Sequence, residues 1–147
     1  FGNFNSEIKA EFQNNNLLGE DDSLLIPHPI WSNKPVPGKK NKEHRPAFSQ
    51  NNGIRYVMDI ADFTVGRKKA AMMNHAGLMA YMFYDIKDKG TKNIALVKAT
   101  RADKELEEVA YGLSLINSEA DQIVNWLDPD ERGEFIEERK QIASTRD

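Results

Sequence analysis

Cysteine is absent from the 147 residues of this chain, and its absence removes three kinds of chemistry at once. Without a thiol there are no disulfides, no thiolate metal ligands and no cysteine nucleophile. Long apolar runs are missing as well, because the longest uncharged apolar-rich run, residues 70–84, has only 15 residues. A membrane-spanning helix needs about 20. We therefore expect a chain of about one domain, with no membrane segment.

No secretory signal is visible at the start of the chain, which begins with phenylalanine rather than methionine. A processed product, a domain of a longer chain and an omitted start would all explain that first residue. We expect a soluble protein, and the sequence leaves its compartment open.

The signatures of common enzymes are also missing. The chain has no G-x-S-x-G, no phosphate-binding P-loop and no G-x-G-x-x-G. Its three histidines, His28, His44 and His75, lack the i, i+4 spacing of a metal site on a helix. These absences disfavour an enzyme, and we expect neither a cofactor nor a metal ion.

Proline is scarce except in one region, where residues 27–46 hold five of the six prolines. Each proline removes a backbone donor and favours an extended conformation in the residue before it. We therefore predict an N-terminal helix (1–18), an extended arm (19–53) and a helix-rich globular domain (54–147). Within the arm, residues 34–46 should be solvated and mobile. The apolar side chains expected to contact a partner are Ile26, Ile30, Trp31 and Phe48.

Two strands around a long helix form the predicted centre of the fold. Residues 54–60 and 93–99 are rich in side chains that favour strands. Between them, alanine, methionine and leucine favour a helix that Thr64 would cap and Gly90 would end. A competing interpretation ends this helix early and makes residues 78–86 a strand. In the favoured interpretation the two strands are parallel and form a βαβ unit.

Further helices are predicted on both sides of this centre. Phe4, Ile8 and Phe12 form the apolar stripe of an N-terminal helix, which Gly19 would end in a left-handed conformation. The last helix has so thin an apolar stripe that we expect it to be peripheral and open to another chain. The predicted fold is α+β and dominated by about five helices, with an all-α fold as the alternative. Three of the helices follow residue 99, each opened by a capping residue: Thr100, Ser118 and Asp128.

The net charge of −3 hides a separation of charge along the chain. Residues 34–69 carry nine basic and three acidic side chains, whereas residues 102–147 carry five basic and thirteen acidic ones. Such a separation is typical of a protein that binds nucleic acid with one surface. The favoured explanation is that the two halves pair with each other or with other copies of the chain. The candidate contacts to phosphate or to an acidic surface are Lys39, Lys40, Lys42, Arg45, Arg67, Lys68 and Lys69.

A catalytic interpretation uses the histidines. A metal-free ribonuclease needs little more than a histidine, a cation and one further polar group. A magnesium nuclease would need converging carboxylates beside a lysine, a pattern that Asp85 and Lys98 match only loosely. His75 is more readily explained as a core or interface histidine with one hydrogen bond. The residues of the catalytic alternative are His44, His75, Arg67, Asp59 and Asp62.

The expected function is that of a small interaction or assembly protein. Its arm would lie on a neighbouring molecule, and its oppositely charged halves would bind further copies, as in a structural component of a phage or virus particle. The alternatives are a nuclease or toxin domain that cleaves RNA or DNA, and a domain that binds nucleic acid without cleaving it. A protein partner or self-association is thus expected first, and nucleic acid second.

Overall fold

The computed structural model describes residues 2–21, 25–40, 42–64 and 69–145. Its five helices are Gly2–Asn14 (α1), Lys69–Ile86 (α2), Arg101–Lys104 (α3), Glu107–Glu119 (α4) and Pro129–Ser144 (α5). The strands of the central sheet are Ile30–Ser32 (β1), Phe48–Asn51 (β4), Arg55–Asp62 (β5), Thr91–Lys98 (β6) and Gln122–Asn125 (β7). A separate hairpin pairs Val36–Pro37 (β2) with Glu43–His44 (β3).

The central sheet is mixed, with the strand order β1-β4-β5-β6-β7. Its first three strands pair antiparallel, whereas β5, β6 and β7 run parallel with α2 and α4 between them in sequence. The pairing of β5 with β6, which sets Val57 opposite Asn93, confirms the predicted βαβ unit. Because β1 and β4 come from the proline-rich segment, one sheet spans the domain boundary predicted at residues 53 and 54.

Each face of the sheet has its own core. Alternate residues of β5 point to opposite faces, as strand geometry requires. Tyr56, Met58 and Ile60 belong to the cluster that contains the apolar side chains of α1 and α5, whereas Val57 and Ala61 belong to the cluster of α2 and α4. The molecule is therefore a three-layer arrangement with helices on both faces of the sheet.

The N-terminal helix is confirmed, and its ending differs from the prediction. Phe4, Ile8 and Phe12 are buried against the sheet, and the rings of Phe12 and Phe48 meet edge to face with centroids 5.0 Å apart. The left-handed residue after α1 is Asn16, with a φ of 57°, rather than Gly19. Asparagine tolerates this conformation, so the chain turns three residues earlier than predicted.

The central helix is also confirmed, because α2 extends through residues 78–86, which the competing interpretation made a strand. Its predicted cap, Thr64, precedes residues 65–68, which are outside the described residues. The Thr64 hydroxyl donates a hydrogen bond to Asp62 Oδ1, over 2.6 Å. The helix ends at Ile86, ahead of the turn that contains Gly90.

The helix predicted from Ser118 is wrong. Residues 122–125 form β7, which extends the sheet beside β6, and the Ser118 hydroxyl donates to the Leu115 carbonyl instead of capping a new helix. The edge of β6 has backbone donors and acceptors with which residues 122–125 can pair. Val124 and Ile123 then pack on opposite faces of the sheet. The other two caps are confirmed, since Thr100 accepts from Asp103 N and Asp128 accepts from Asp130 N and Glu131 N.

The last helix is not peripheral. Phe135, Ile136 and Ile142 of α5 are buried in the cluster that includes Phe12 and Trp126. Arg139 is buried as well, and its guanidinium lies 4.6 Å from the ring centroid of Tyr56. Burial lowers the pKa of Arg139, while Glu138, with an oxygen 2.6 Å from Nη2, opposes that shift. An apolar stripe too narrow to stabilise an isolated helix is sufficient to bury α5, because aromatic residues of the sheet and of α1 cover it.

The fold is thus a mixed α and β one, and the all-α alternative is wrong. Within the described residues, no helix is both long and apolar enough to cross a membrane.

Candidate functional site

The basic segment 34–46 is an ordered hairpin in the structure rather than a solvated linker. Val36 pairs with His44 and Pro37 with Glu43, and the amide of Gly38 donates to the Lys42 carbonyl over 2.8 Å. Both ends are anchored, because Val36 is buried in the core shared with α2 and α4 and His44 is only 7% exposed. The predicted mobility is therefore wrong: two buried side chains fix the hairpin to the protein.

A buried contact joins this hairpin to the end of α2. His44 Nε2 lies 2.6 Å from Asp85 Oδ2, and this hydrogen bond holds the pKa of the Asp85 carboxyl below its ordinary value. The amide of Lys39 donates to the Asp85 carbonyl over 3.0 Å. A Cβ at Gly38 would collide with the Asp85 carboxylate, so only glycine lets the hairpin approach this closely.

The cations of this segment lie at the surface of the protein. Five basic side chains are exposed among the described residues 34–46, Lys34 and four in or next to the hairpin, and Glu43 is the single acid there. Lys42 Nζ lies 5.5 Å from the ring centroid of Tyr81, and Arg45 Nη1 donates to the Asn33 carbonyl over 3.3 Å. The result is a compact positive surface on a fixed support, which we call the basic hairpin: Lys39, Lys40, Lys42 and Arg45.

A pocket of about 380 Å³ opens beside the basic hairpin. It contains Trp31 and two cations, Lys34 and Arg55, together with polar groups of β4 and the His28 region. Lys34 Nζ lies 5.2 Å from the Trp31 ring centroid. A second opening of about 340 Å³ lies on the hairpin, and Pro35 lines both, so the Trp31 pocket and the basic hairpin form one continuous surface.

Two residues predicted to hold a partner lie in the chain's own core. Ile30 and Phe48 are both 0% exposed and pack with α1 and α5, so neither is available to another molecule. The reason is strand pairing, because β1 and β4 pair with each other through Ile30 and Gln50 and turn these side chains inward. Ile26 packs partly against the same core, and Trp31 alone of the four is left at the rim of a pocket.

Among the described residues of the catalytic alternative, the structure brings His75 close enough to Asp59 to affect its pKa, whereas His44 lies elsewhere, with Asp85. His75 Nε2 lies 2.7 Å from the Ile60 carbonyl, ten helical residues, or about 15 Å, from the position where Asp85 meets His44. Burial raises the pKa of Asp59, against an opposing effect of His75, and the Asp59 carboxylate accepts from the amide of Ala47. Arg67 and Lys68, and the side chain of Lys69, are outside the described residues.

Asp62 is also part of the local structure, since its carboxylate accepts from the amide and the hydroxyl of Thr64. Across the described ranges, no group of three His, Asp or Glu side chains is arranged to hold a metal ion.

Sequence reasoning found the cations but missed the residues that fix them in place. Asp85 meets a histidine 41 positions away in the chain, and Arg55 and Lys34 share a pocket only because β1 and β4 pair. The local signal that existed was Pro37-Gly38, a dipeptide that is typical of turns and would have indicated a hairpin in this segment.

Comparison with protein-family models, with curated proteins and with solved structures finds no match for this chain.

Proposed function

We propose that this protein binds nucleic acid without cleaving it, and that the basic hairpin is the part that contacts the phosphate backbone. The observation that carries the proposal is the buried contact between His44 and Asp85, which presents four exposed cations on one fixed support. Cations that neutralise phosphates provide most of the affinity of such proteins. A hairpin that is already ordered loses less conformational entropy on binding than a mobile linker would.

The overall charge of −3 does not oppose this proposal, because phosphate contacts depend on the local potential. The acidic side chains are concentrated elsewhere, with thirteen of them in residues 102–147. Two further cations, Lys34 and Arg55, line the adjoining pocket and extend the positive surface along one side of the molecule. A strand of nucleic acid that follows the hairpin into the pocket would pass Glu43, at the opening on the hairpin, and Asp88, near Arg55 and Lys39. The six cations of the hairpin and the pocket outnumber these two acids.

The test replaces the three lysines of the hairpin, Lys39, Lys40 and Lys42, with glutamine. Fluorescence anisotropy with oligonucleotides of about 20 nucleotides measures affinity between about 50 and 200 mM salt. Because up to three phosphate contacts are lost, the slope of log K against log salt should fall by roughly two for single strands.

The matched control replaces three exposed lysines far from the hairpin in sequence, Lys9, Lys104 and Lys140, with glutamine. Its net charge equals that of the hairpin variant, so a general effect of charge would appear in both. Because its three lysines lie outside the hairpin, this variant should keep the slope and affinity of the unmodified protein. Equal losses in both variants, or no binding by the unmodified protein at low salt, would overturn the proposal.

A second function, self-association, is favoured by a separate observation. Leu78, Tyr81 and Tyr84 form an apolar stripe on the outward side of α2, where they are 59%, 42% and 54% exposed. Stripes of this kind are typical of protein interfaces. The occupant that we propose for the stripe is a second copy of the chain.

Charge complementarity supports a second copy. The α4 helix lies beside α2, since a Cβ added to Gly112 would meet Ala76 at 3.5 Å. The first turn of α4 is acidic, with Glu107 and Glu108, whereas the basic hairpin borders the far end of α2. Two copies with antiparallel α2 helices would bring the basic hairpin of one copy toward the acidic first turn of α4 in the other. Size-exclusion chromatography with light scattering measures this association.

A further inference from the structure

We propose that the Trp31 pocket holds one unpaired base of a single-stranded nucleic acid, so that this protein prefers single strands over duplexes. This inference rests on the proposed function and specifies the ligand of the pocket beside the basic hairpin. The ligand chemistry is a planar base on a phosphodiester chain, which single-stranded DNA and RNA share.

The backbone of Gly19 packs against the Trp31 ring. A Cβ at Gly19 would lie 2.7 to 2.8 Å from three atoms of the indole, so Gly19 packs directly on the ring and leaves room for nothing larger. The backbone there is fixed on both sides, because Gly19 N donates to the Ile30 carbonyl and Ile30 N donates to the Leu17 carbonyl. An aromatic ring that is already oriented is what a stacking site requires.

The chain's other tryptophan, Trp126, has different surroundings from Trp31. Trp126 is buried in the core beside Phe12 and Phe135, where its ring takes part in edge-to-face contacts. Trp31 instead lines an open pocket among polar and cationic groups. The volume of about 380 Å³ is within the range of pockets that take small planar ligands.

Lys34 occupies the position that a base would take. Its ammonium lies 5.2 Å from the centroid of the Trp31 ring, and the side chain is exposed, so it can move aside at little cost. A base that stacks on Trp31 would displace this ammonium toward the phosphate that follows the base. Arg55, which pairs with Asn51 between β4 and β5, also lines the pocket, and its guanidinium could contact a neighbouring phosphate.

Duplex DNA cannot use such a pocket unless a base leaves the helix, which requires unstacking and unpairing. The basic hairpin, by contrast, contacts phosphates that both forms present. The two parts of the surface therefore make separable contributions, and the pocket should determine the preference for single strands.

The experiment compares Trp31→Leu and Trp31→Phe with the unmodified protein on three probes of equal length: a single-stranded DNA, a single-stranded RNA and a DNA duplex. Trp31→Leu should weaken binding to both single strands by roughly 5- to 100-fold and leave duplex binding nearly unchanged. Trp31→Phe, which keeps a stacking face, should retain most of the affinity. Tyr111→Leu, which removes an exposed aromatic ring outside the pocket, should change none of the three.

A second measurement uses the unmodified protein, so it does not depend on how the variants fold. Single strands that carry 5-iodouracil are cross-linked by light, and the cross-linked peptide is identified by mass spectrometry. A cross-link at Trp31 supports the pocket. Cross-links only elsewhere, or equal losses on single strands and duplex in Trp31→Leu, overturn it while leaving the hairpin proposal intact. Absence of binding to all three probes overturns both proposals.

Discussion

Two glycines determine how closely the parts of the candidate site approach one another. At Gly19 a side chain would meet the Trp31 ring, and at Gly38 it would meet the carboxylate of Asp85. Neither position has a positive φ, so it is close packing rather than backbone conformation that requires glycine at both. In a well-packed interior an added methyl group is destabilising, because the neighbouring atoms have little room to move.

The contact between His44 and Asp85 makes stability depend on pH in a defined direction. Because His44 lowers the pKa of Asp85 in the folded state, ionised Asp85 stabilises the protein above the ordinary carboxyl range, and this contribution is lost as the pH falls through the lowered pKa. We predict that Asp85→Asn lowers the melting temperature at pH 6, and that the difference from the unmodified protein shrinks as the pH falls through the lowered pKa of Asp85.

Thermal unfolding followed by circular dichroism at several pH values measures this difference. Asp130→Asn, at an exposed carboxyl in α5, is the control and should show a smaller effect at pH 6. A difference for Asp85→Asn that grows as the pH falls would contradict the assigned role.

The elements of the chain begin and end where short side-chain contacts satisfy the backbone. At the start of α3, Thr100 accepts from the amide of Asp103, and the Asp103 carboxylate accepts from the amide of Thr100 over 2.7 Å. This reciprocal pair lets the chain leave β6 and enter the helical crossover within two residues.

We predict that Thr100→Ala lowers the free energy of unfolding by about 1 kcal/mol, because the amide of Asp103 loses its acceptor. Urea denaturation at neutral pH measures the change. Thr100→Ser keeps the hydroxyl and should retain most of the stability, so a serine variant as unstable as the alanine variant would show that the hydroxyl is not the cause.

The sequence predicted those elements whose pattern is local. The stripe of Phe4, Ile8 and Phe12, the helix formers of α2 and the cap at Thr100 all act within a few residues, and all are confirmed. It could not predict β7, because the two apolar residues Ile123 and Val124 fit a helix or a strand equally well and only the open edge of β6 decides. Burial of α5 likewise depends on distant aromatic residues.

The candidate site was predictable only in part, for the same reason. Composition identified the cations of the basic hairpin. The partner of His44 is 41 residues away, and the inward side chains of Ile30 and Phe48 follow from the pairing of β1 with β4. Periodicity cannot reveal such long-range contacts, so the prolines around Trp31 indicated an extended arm that lies on a partner, where the structure has a strand of the chain's own sheet.

At the scale of the whole molecule, charge and apolar surface are both unevenly distributed. The basic hairpin and the α2 stripe lie side by side, since Lys42 of the hairpin contacts Tyr81 of the stripe. The two proposed functions therefore use neighbouring surfaces, and self-association would place the hairpins of two copies at opposite ends of one assembly.

We predict that the unmodified protein forms a dimer at low salt and that Leu78→Glu abolishes it, because a charge would then be buried among apolar side chains. Leu127→Glu is the matched control, since Leu127 is also exposed but lies outside the stripe. Light scattering on the eluting peak gives the mass. An unmodified protein that is monomeric at every ionic strength would exclude this interface.

The basic hairpin and Trp31 are held in place by different elements of the fold. The hairpin is anchored to the last turn of α2 through Asp85, whereas Trp31 belongs to an edge strand of the sheet. The distance between the basic hairpin, proposed to contact phosphate, and the Trp31 pocket, proposed to hold a base, therefore depends on how α2 packs on the sheet. If α2 were tilted, a different number of nucleotides would fit between the hairpin and the pocket. Under the proposed function, the packing of α2 would therefore determine the length of single strand that the protein binds.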